Sequence, residues 1–192
     1  ICNIIFPMSL ILLDFDGVLA DTLADMLRFA QEACDELGVN HRVVRTDLTE
    51  LEMMSFATLG RACGTPEDLV EEFVRRCTNK FAEKQSPLVM FAGMGEVVKK
   101  LAESHALVVV TGNSQGVVRA FLKQHGLEAY IRAVYGVDLP GSKAEKIRQA
   151  QTCFAVQGEA VFMVGDAVSD VYAARQAGVA SIAVAWGHQS LE

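Results

Sequence analysis

The chain has 192 residues, a formal net charge of −7, and 51% hydrophobic against 21% charged residues. This length fits one large domain or a core with a modest insertion, and the composition is that of an ordinary globular protein. The acidic balance argues against nucleic acid or an acidic membrane as a partner. An anionic substrate would need a bound divalent cation and a local lysine to offset that charge.

The cysteines and the first residues bear on the cellular setting. The cysteines are odd in number and widely spaced, so we expect neither a disulfide framework nor a zinc site. A reducing cytoplasm is then the expected location. They are Cys2, Cys34, Cys63, Cys77 and Cys153. Residues 1–13 are apolar but too short to cross a membrane and lack a cleavage site. We expect residues 1–7 to be leader or added sequence.

The first predicted strand, at about 9–14, is followed by a long stretch without a strand pattern, between about 20 and 88. This stretch carries three helical patterns, whose ends are marked by capping residues and breakers. They run from the N-cap Thr22 to Gly38, over roughly 47–63, and from Thr65 and Pro66 to Pro87. A helical insertion at this point is well placed to act as a lid.

Four further apolar runs follow, separated by helical patterns. They lie at about 106–110, 132–136, 160–165 and 180–185. Strands that alternate with helices indicate an α/β fold with a parallel sheet. We therefore predict a Rossmann-like, doubly wound core from residues 9–20 and 89–192, with a helical cap at 21–88.

Four short segments place reactive groups at or near the ends of these strands. They are Asp14-Phe15-Asp16-Gly17, Thr111-Gly112-Asn113, a lone Lys143, and Gly165-Asp166-Ala167-Val168-Ser169-Asp170. In open parallel sheets, ligands bind beyond the carboxyl ends of the strands. The topology therefore predicts that these side chains converge on one crevice.

Asp14 and Asp16 are the candidate catalytic carboxylates. Asp14 is a reasonable nucleophile, because a phosphoaspartate intermediate divides one hard displacement into two easier ones. If the chain bends at Gly17, Asp16 can protonate the leaving group and then act as a base toward water. To donate a proton near neutral pH, Asp16 needs a raised pKa, which neighbouring carboxylates would favour.

The same acidic residues predict a magnesium site, since Mg²⁺ prefers oxygen ligands. The predicted protein ligands are Asp14, the backbone carbonyl of Asp16, and the carboxylate of Asp166. Asp170 would hold a metal-bound water or orient Lys143.

The remaining segments predict phosphate binding. Thr111 and the backbone N–H of Gly112 can donate to phosphoryl oxygens, and Asn113 completes this predicted substrate-binding loop. Lys143 would pair with both Asp14 and the phosphate, offsetting the charge that builds up.

These residues resemble the four motifs of the haloacid dehalogenase-like hydrolase superfamily. The run Asp14-Phe15-Asp16-Gly17-Val18-Leu19-Ala20-Asp21 looks like the phosphatase branch, near phosphoglycolate phosphatases and β-phosphoglucomutases. The resemblance covers about 9–187 and implies a Rossmannoid core, a small helical cap, Mg²⁺ and aspartyl-phosphate chemistry. We expect a small phosphorylated metabolite as substrate, and a monomer or homodimer as the oligomeric state.

Some positions depart from that pattern or stay open. The third motif often reads Lys-Pro, whereas Lys143 is followed by Ala144, and Lys146 remains a weaker candidate. The helix that usually follows the last strand in this family is missing, because the sequence stops at Glu192. We therefore expect a truncated chain. Arg61 is read as a surface arginine and His188 as a loop histidine, although either could meet substrate.

Three functions are compatible with these motifs. The first is a Mg²⁺-dependent phosphatase acting on a small monoester such as phosphoglycolate or a sugar phosphate. The second is a phosphomutase or phosphotransferase that uses the same aspartate. The third is a non-catalytic module that binds a phosphorylated ligand. Loss of a motif residue would have favoured this third function, but all the motif residues are present.

Overall fold

The computed structural model describes residues 9–83, 87–156 and 158–189. Its centre is a five-stranded sheet in which every pairing is parallel. In chain order the strands are β1 (Leu10–Leu13), β2 (Ala20–Asp21), β3 (Val89–Met90), β4 (Ala106–Val110), β5 (Ile131–Tyr135), β6 (Val161–Gly165) and β7 (Ala180–Ala183). The sheet order is β5-β4-β1-β6-β7, while β2 and β3 form a separate antiparallel pair.

Helices occupy the connections between the strands. In chain order they are α1 (Leu23–Leu37), α2 (Arg45–Thr49), α3 (Phe56–Ala62), α4 (Val70–Glu83), α5 (Met94–Ala102), α6 (Gln115–Gln124), α7 (Lys143–Phe154) and α8 (Val168–Ala177). The first four are consecutive, and we refer to residues 23–83 as the helical insertion. The other four each follow or precede a strand of the large sheet.

Alternate side chains of a strand point to opposite faces of the sheet. The central strand β1 packs against helices on both faces, whereas all four residues of the edge strand β7 are exposed. Ile11 and Leu13 belong to a buried cluster with residues of α5 and α6. Leu10 and Leu12 belong to a second cluster with residues of α7 and α8. The predicted α/β fold with a doubly wound parallel sheet is confirmed.

The helical insertion has a hydrophobic cluster of its own, built from α1, α3 and α4. Phe29, Phe73 and Phe81 are the large side chains in it, and each is at most 9% exposed. Cys34, Cys63 and Cys77 are buried in the same cluster as free thiols. They behave as the small core residues that their apolar positions indicated.

Several details differ from the sequence-based predictions. The pattern at 47–63 is two helices, because Ser55 caps a new helix by accepting a hydrogen bond from the Thr58 N–H at 3.1 Å. The last helix of the insertion begins with a 3-10 turn after Pro66, and Thr65 provides no cap. The two-residue strands β2 and β3 were not predicted, since they are too short to show an alternating pattern.

None of the helices in the described part of the chain is both long and apolar enough to cross a membrane.

Candidate active site

The strand order explains how distant motif residues meet. β1 lies between β4 and β6, with Leu13 in register with both Val109 and Val164. Asp14 and Asp166 directly follow β1 and β6, so they emerge beside each other at one edge of the sheet. The predicted convergence of these two carboxylates is confirmed by their geometry.

Three carboxylates form the centre of the site. Oxygen atoms of Asp14, Asp166 and Asp170 all lie within 4.8 Å of one another. All three residues are buried, with exposed fractions of 8%, 5% and 1% respectively. Three buried acids at such distances repel one another unless a cation lies among them or protons are bound.

Lys143 supplies one positive charge to this cluster. It is the first residue of α7, and its Nζ lies 3.0 Å from Asp14 Oδ2 and 2.6 Å from Asp170 Oδ1. Burial alone would lower the pKa of Lys143, but the two carboxylates outweigh it and raise that pKa. The charged form of Lys143 is therefore favoured at neutral pH.

Lys146, the weaker candidate, lies one turn further along α7. Burial lowers the pKa of Lys146, and the charge acting most strongly on it is that of Asp138. Lys143 and not Lys146 contacts the acidic cluster.

The Asp14 carboxylate is held in one orientation. Its Oδ1 accepts a hydrogen bond from the Phe15 N–H at 2.8 Å, while Oδ2 receives Lys143. Burial raises the pKa of Asp14 to about 8, with Asp170, Asp16 and Asp166 adding to that rise and Lys143 opposing it. One lysine does not neutralise three carboxylates, and a further cation would favour the ionised form of Asp14.

Asp16 lies beside the cluster and is held by two neutral donors. The Thr22 hydroxyl donates to Asp16 Oδ1 at 2.8 Å, and Asn113 Nδ2 lies 3.3 Å from Oδ2. Burial raises the pKa of Asp16, and these hydrogen bonds oppose the rise without cancelling it. Asp16 thus has the raised pKa that an acid donor needs.

Thr22 corrects one prediction. It occupies the N-cap position of α1, but its side chain makes no capping hydrogen bond. The hydroxyl donates to Asp16 instead. The Thr22 hydroxyl therefore bonds Asp16 instead of the backbone N–H of α1 that capping rules favour, and Thr22 lies in the candidate site.

Asp166 has an unused oxygen that points to a missing partner. Its Oδ2 accepts the His188 N–H at 2.6 Å, whereas its buried Oδ1 has no hydrogen-bond partner among the described residues. Burial raises the pKa of Asp166 to about 6. An orphaned carboxylate oxygen beside two other acids is the donor set that a hard divalent cation takes.

Gly17 allows this close packing. Its φ is +77°, and a Cβ at this position would collide with the Asp166 carboxylate. Glycine is therefore required at this bend, both for its backbone conformation and for the approach to Asp166.

The loop after β4 lies at the same edge. Thr111 is buried, and its Oγ1 accepts the Asn113 N–H at 3.0 Å, which leaves the hydroxyl hydrogen free to donate. Gly112 has open space where a side chain would lie. Asn113 already donates to Asp16, so it also has a role in positioning that carboxyl.

The segment after β7 was underestimated from the sequence. His188, which we read as a loop histidine, is 2% exposed and its N–H binds Asp166. Gln189 is also buried and hydrogen-bonds both α8 and the helical insertion. Neither position carries a periodic or motif signal; only the apolar run before Trp186 pointed to this edge of the sheet.

Arg61 lies apart from the site. Its guanidinium makes three hydrogen bonds to the exposed Glu67, at distances of 2.6, 2.9 and 3.2 Å. This agrees with a surface arginine.

The chain is similar to known proteins over most of its length. The family model described as "Haloacid dehalogenase-like hydrolase" matches residues 11–184. The phosphoglycolate phosphatase of Synechococcus elongatus is 29% identical, over 94% of this chain and 85% of the relative. That of Caulobacter vibrioides is 31% identical, over 91% of this chain and 78% of the relative.

A solved structure shares the fold. A haloacid dehalogenase-like hydrolase from Streptococcus pneumoniae superposes with a TM-score of 0.84 at 22% identity, covering 96% of this chain and 88% of that one. The resemblance to the phosphatase branch is confirmed by the curated relatives, and with it the prediction of an enzyme that hydrolyses phosphoric monoesters. The chain belongs to the family of haloacid dehalogenase-like hydrolases.

Proposed function

We propose that the chain is a Mg²⁺-dependent phosphatase that hydrolyses a small phosphate monoester through an aspartyl-phosphate intermediate. The observation that carries this proposal is the arrangement of Asp14, Lys143 and Asp170, with Asp166 oxygens within 4.8 Å of the other two acids. It combines a nucleophile, a fixed cation and oxygen ligands in one buried place.

In the first step, Asp14 attacks phosphorus and the bond from phosphorus to the ester oxygen breaks. The departing oxygen takes the proton that Asp16 carries, so that a neutral alcohol leaves. Lys143 offsets the negative charge at Asp14 and at the phosphoryl oxygens. The Thr111 hydroxyl, the Gly112 N–H and Asn113 are the proposed donors to those oxygens.

In the second step, water attacks the same phosphorus. Asp16 accepts the proton of the water, the bond to Asp14 breaks, and inorganic phosphate leaves. Asp16 ends the cycle protonated and Asp14 ends it as the free carboxylate. The hydrogen bonds from Thr22 and Asn113 keep Asp16 in reach of the ester oxygen in both steps.

Asp14, Asp166 and the backbone carbonyl of Asp16 are the proposed magnesium ligands, with Asp170 orienting Lys143. The orphaned Asp166 Oδ1 supports this assignment. A bound Mg²⁺ supplies positive charge that neutralises the transferring phosphoryl group.

We further propose that residues 21–88 form a cap over a core made of 9–20 and 89–192. The support is the separate hydrophobic cluster of the helical insertion and the β2–β3 pair where the chain leaves and rejoins the core. Closure of such a cap would exclude bulk water and admit only small leaving groups. Phosphoglycolate or a sugar phosphate has the expected size, and the free cysteines fit a reducing cytoplasm.

The test is phosphate release from a generic aryl phosphate. We expect turnover with Mg²⁺ that stops with EDTA and falls about 10⁴-fold or more in Asp14→Asn, as losses of a covalent nucleophile do. Turnover unchanged in Asp14→Asn would refute the mechanism. A stable aspartyl phosphate that is discharged only by a second phosphorylated sugar would indicate the phosphomutase instead.

A further inference from the structure

The segment Trp186–Gln189, which we call the C-terminal strap, connects the core to the helical insertion. Trp186 Nε1 donates to the Val18 carbonyl at 3.3 Å. The Gln189 amide donates to the Leu51 carbonyl at 2.6 Å and accepts the Val168 N–H at 2.8 Å. The strap is therefore tied to both sides of the crevice that contains the acidic cluster.

His188 lies in the middle of this strap with its ring enclosed. The backbone N–H binds Asp166, and the backbone carbonyl accepts Arg45 Nη2 from the insertion at 3.4 Å. The residue is 2% exposed, yet neither ring nitrogen has a hydrogen-bond partner among the described residues. Asp166 Oδ2 lies 3.9 Å from Nδ1, which is out of hydrogen-bond range.

An enclosed ring with two unpaired nitrogens is costly, because buried polar groups are nearly always hydrogen-bonded. An imidazole carries at least one ring N–H in either protonation state, so His188 always has a hydrogen to donate. The structure thus presents a fixed donor without an acceptor, whose Nδ1 lies 3.9 Å from the carboxylate of Asp166.

We propose that His188 determines specificity by donating its ring N–H to an oxygen of the substrate's leaving group. The inference rests on the proposed function, in which Asp16 protonates the ester oxygen of that same leaving group. Lys143 and the loop after β4 lie on the phosphoryl side and already supply donors there. The His188 ring hydrogen-bonds neither of these, and we assign to it an acceptor on the leaving group, for which a carboxylate or a hydroxyl oxygen is the matching chemistry.

The test uses three esters with two-carbon leaving groups. They are 2-phosphoglycolate, with a carboxylate; 2-hydroxyethyl phosphate, with a hydroxyl; and ethyl phosphate, with neither. In His188→Leu we expect kcat/KM to fall about 10-fold or more for the oxygen-bearing ester that the site prefers, the size of one lost hydrogen bond. We expect less than about 3-fold change for ethyl phosphate, and the more affected ester tells a carboxylate from a hydroxyl.

Two sets of variants separate a contact with substrate from a structural role. His188→Asn and His188→Gln keep a donor, and we expect one of them to restore part of the lost preference. Gln189→Leu breaks the strap without changing the imidazole, so it should affect all three esters alike. A uniform loss in His188→Leu, no loss on any ester, or no rescue by either amide would overturn the inference.

Binding provides a second readout that does not need turnover. Calorimetric titration of the three esters into Asp14→Asn with Mg²⁺, with and without His188→Leu, should show the same selective weakening. Failure of the wild-type protein to hydrolyse any aryl phosphate would refute the proposed function, and these titrations would still decide the role of His188. Equal affinities with and without the imidazole, or no binding of any ester, would overturn the proposed role of His188.

Discussion

The acidic cluster and the C-terminal strap are built in different ways. The cluster is fixed by strand ends: Asp14 and Asp166 follow fully paired, buried strands, and Lys143 contacts the cluster from the start of a long helix. The strap is an irregular segment that is held by a few polar contacts to the core and to the insertion. In our proposal the chemistry therefore rests on rigid elements, while selection of the substrate rests on a segment that sequence change can reshape at small cost to the fold.

This difference predicts that substitutions in the cluster reduce turnover of every ester. Loss of the His188 imidazole from the strap should alter preference, and substitutions on the exposed surface of the insertion should have little effect. The following four variants test this difference, and the first three are each compared with a matched control.

Lys143→Met should have the largest effect. It removes the cation from Asp14 and Asp170, so we expect kcat to fall about 10²–10³-fold, as for other groups that stabilise transition-state charge. Leaving two buried carboxylates without a partner should also lower the free energy of unfolding by about 3 kcal/mol. Lys146→Met is the control in kinetic assays and urea unfolding, and equal losses of kcat in both variants would contradict the assignment of Lys143.

Gly17→Ala should have the second-largest effect, a weaker affinity for Mg²⁺. The added Cβ would collide with the Asp166 carboxylate at a backbone φ of +77°. We expect about 10–100-fold weaker Mg²⁺ affinity, the range seen when ligand positioning is disturbed, measured from the Mg²⁺ dependence of turnover. Gly116→Ala, in α6 with only Ser114 Oγ near its added Cβ at 4.0 Å, should leave Mg²⁺ affinity unchanged.

Thr22→Val should have a moderate effect. It keeps the shape of the side chain and removes one hydrogen bond to Asp16, so we expect about a 5-fold lower kcat with KM nearly unchanged. The control is Thr78→Val, which removes a hydroxyl that donates to the Val74 carbonyl on an exposed helix face. A loss confined to KM in Thr22→Val would argue against a role in holding the proton donor.

Arg61→Ala should have the smallest effect. Arg61 pairs with Glu67 on the exposed surface of the insertion, and such pairs contribute little. We expect kcat/KM within about 2-fold of the wild-type value for all esters, since the pair lies in solvent and does not contact the cluster. A selective loss on a carboxylate-bearing ester would instead show that Arg61 reaches the substrate.

The sequence predicted those features that depend on residues close together along the chain. Apolar runs identified all five strands of the large sheet, although the edge strand β7 is exposed. The polar residues at the strand ends identified the cluster, because parallel strands end at one edge. The sequence could also rank Lys143 above Lys146 by spacing, and the contacts to Asp14 and Asp170 agree.

Other features depend on partners that are distant in sequence. The Thr22 hydroxyl looked like a helix cap because its local context favours one, whereas its partner is Asp16. His188 and Gln189 lie in a loop, and loops carry no periodicity from which burial could be inferred. The break between α2 and α3 depends on Ser55, a residue that also occurs within helices.

The most direct test of the account is to find where phosphate is attached during turnover. A reaction quenched early, reduced with borohydride and digested should give a peptide in which Asp14 alone is converted to homoserine, and this conversion should require Mg²⁺ and disappear in Asp14→Asn. Steady release of inorganic phosphate without any modified Asp14, or modification at another aspartate, would contradict the proposed mechanism.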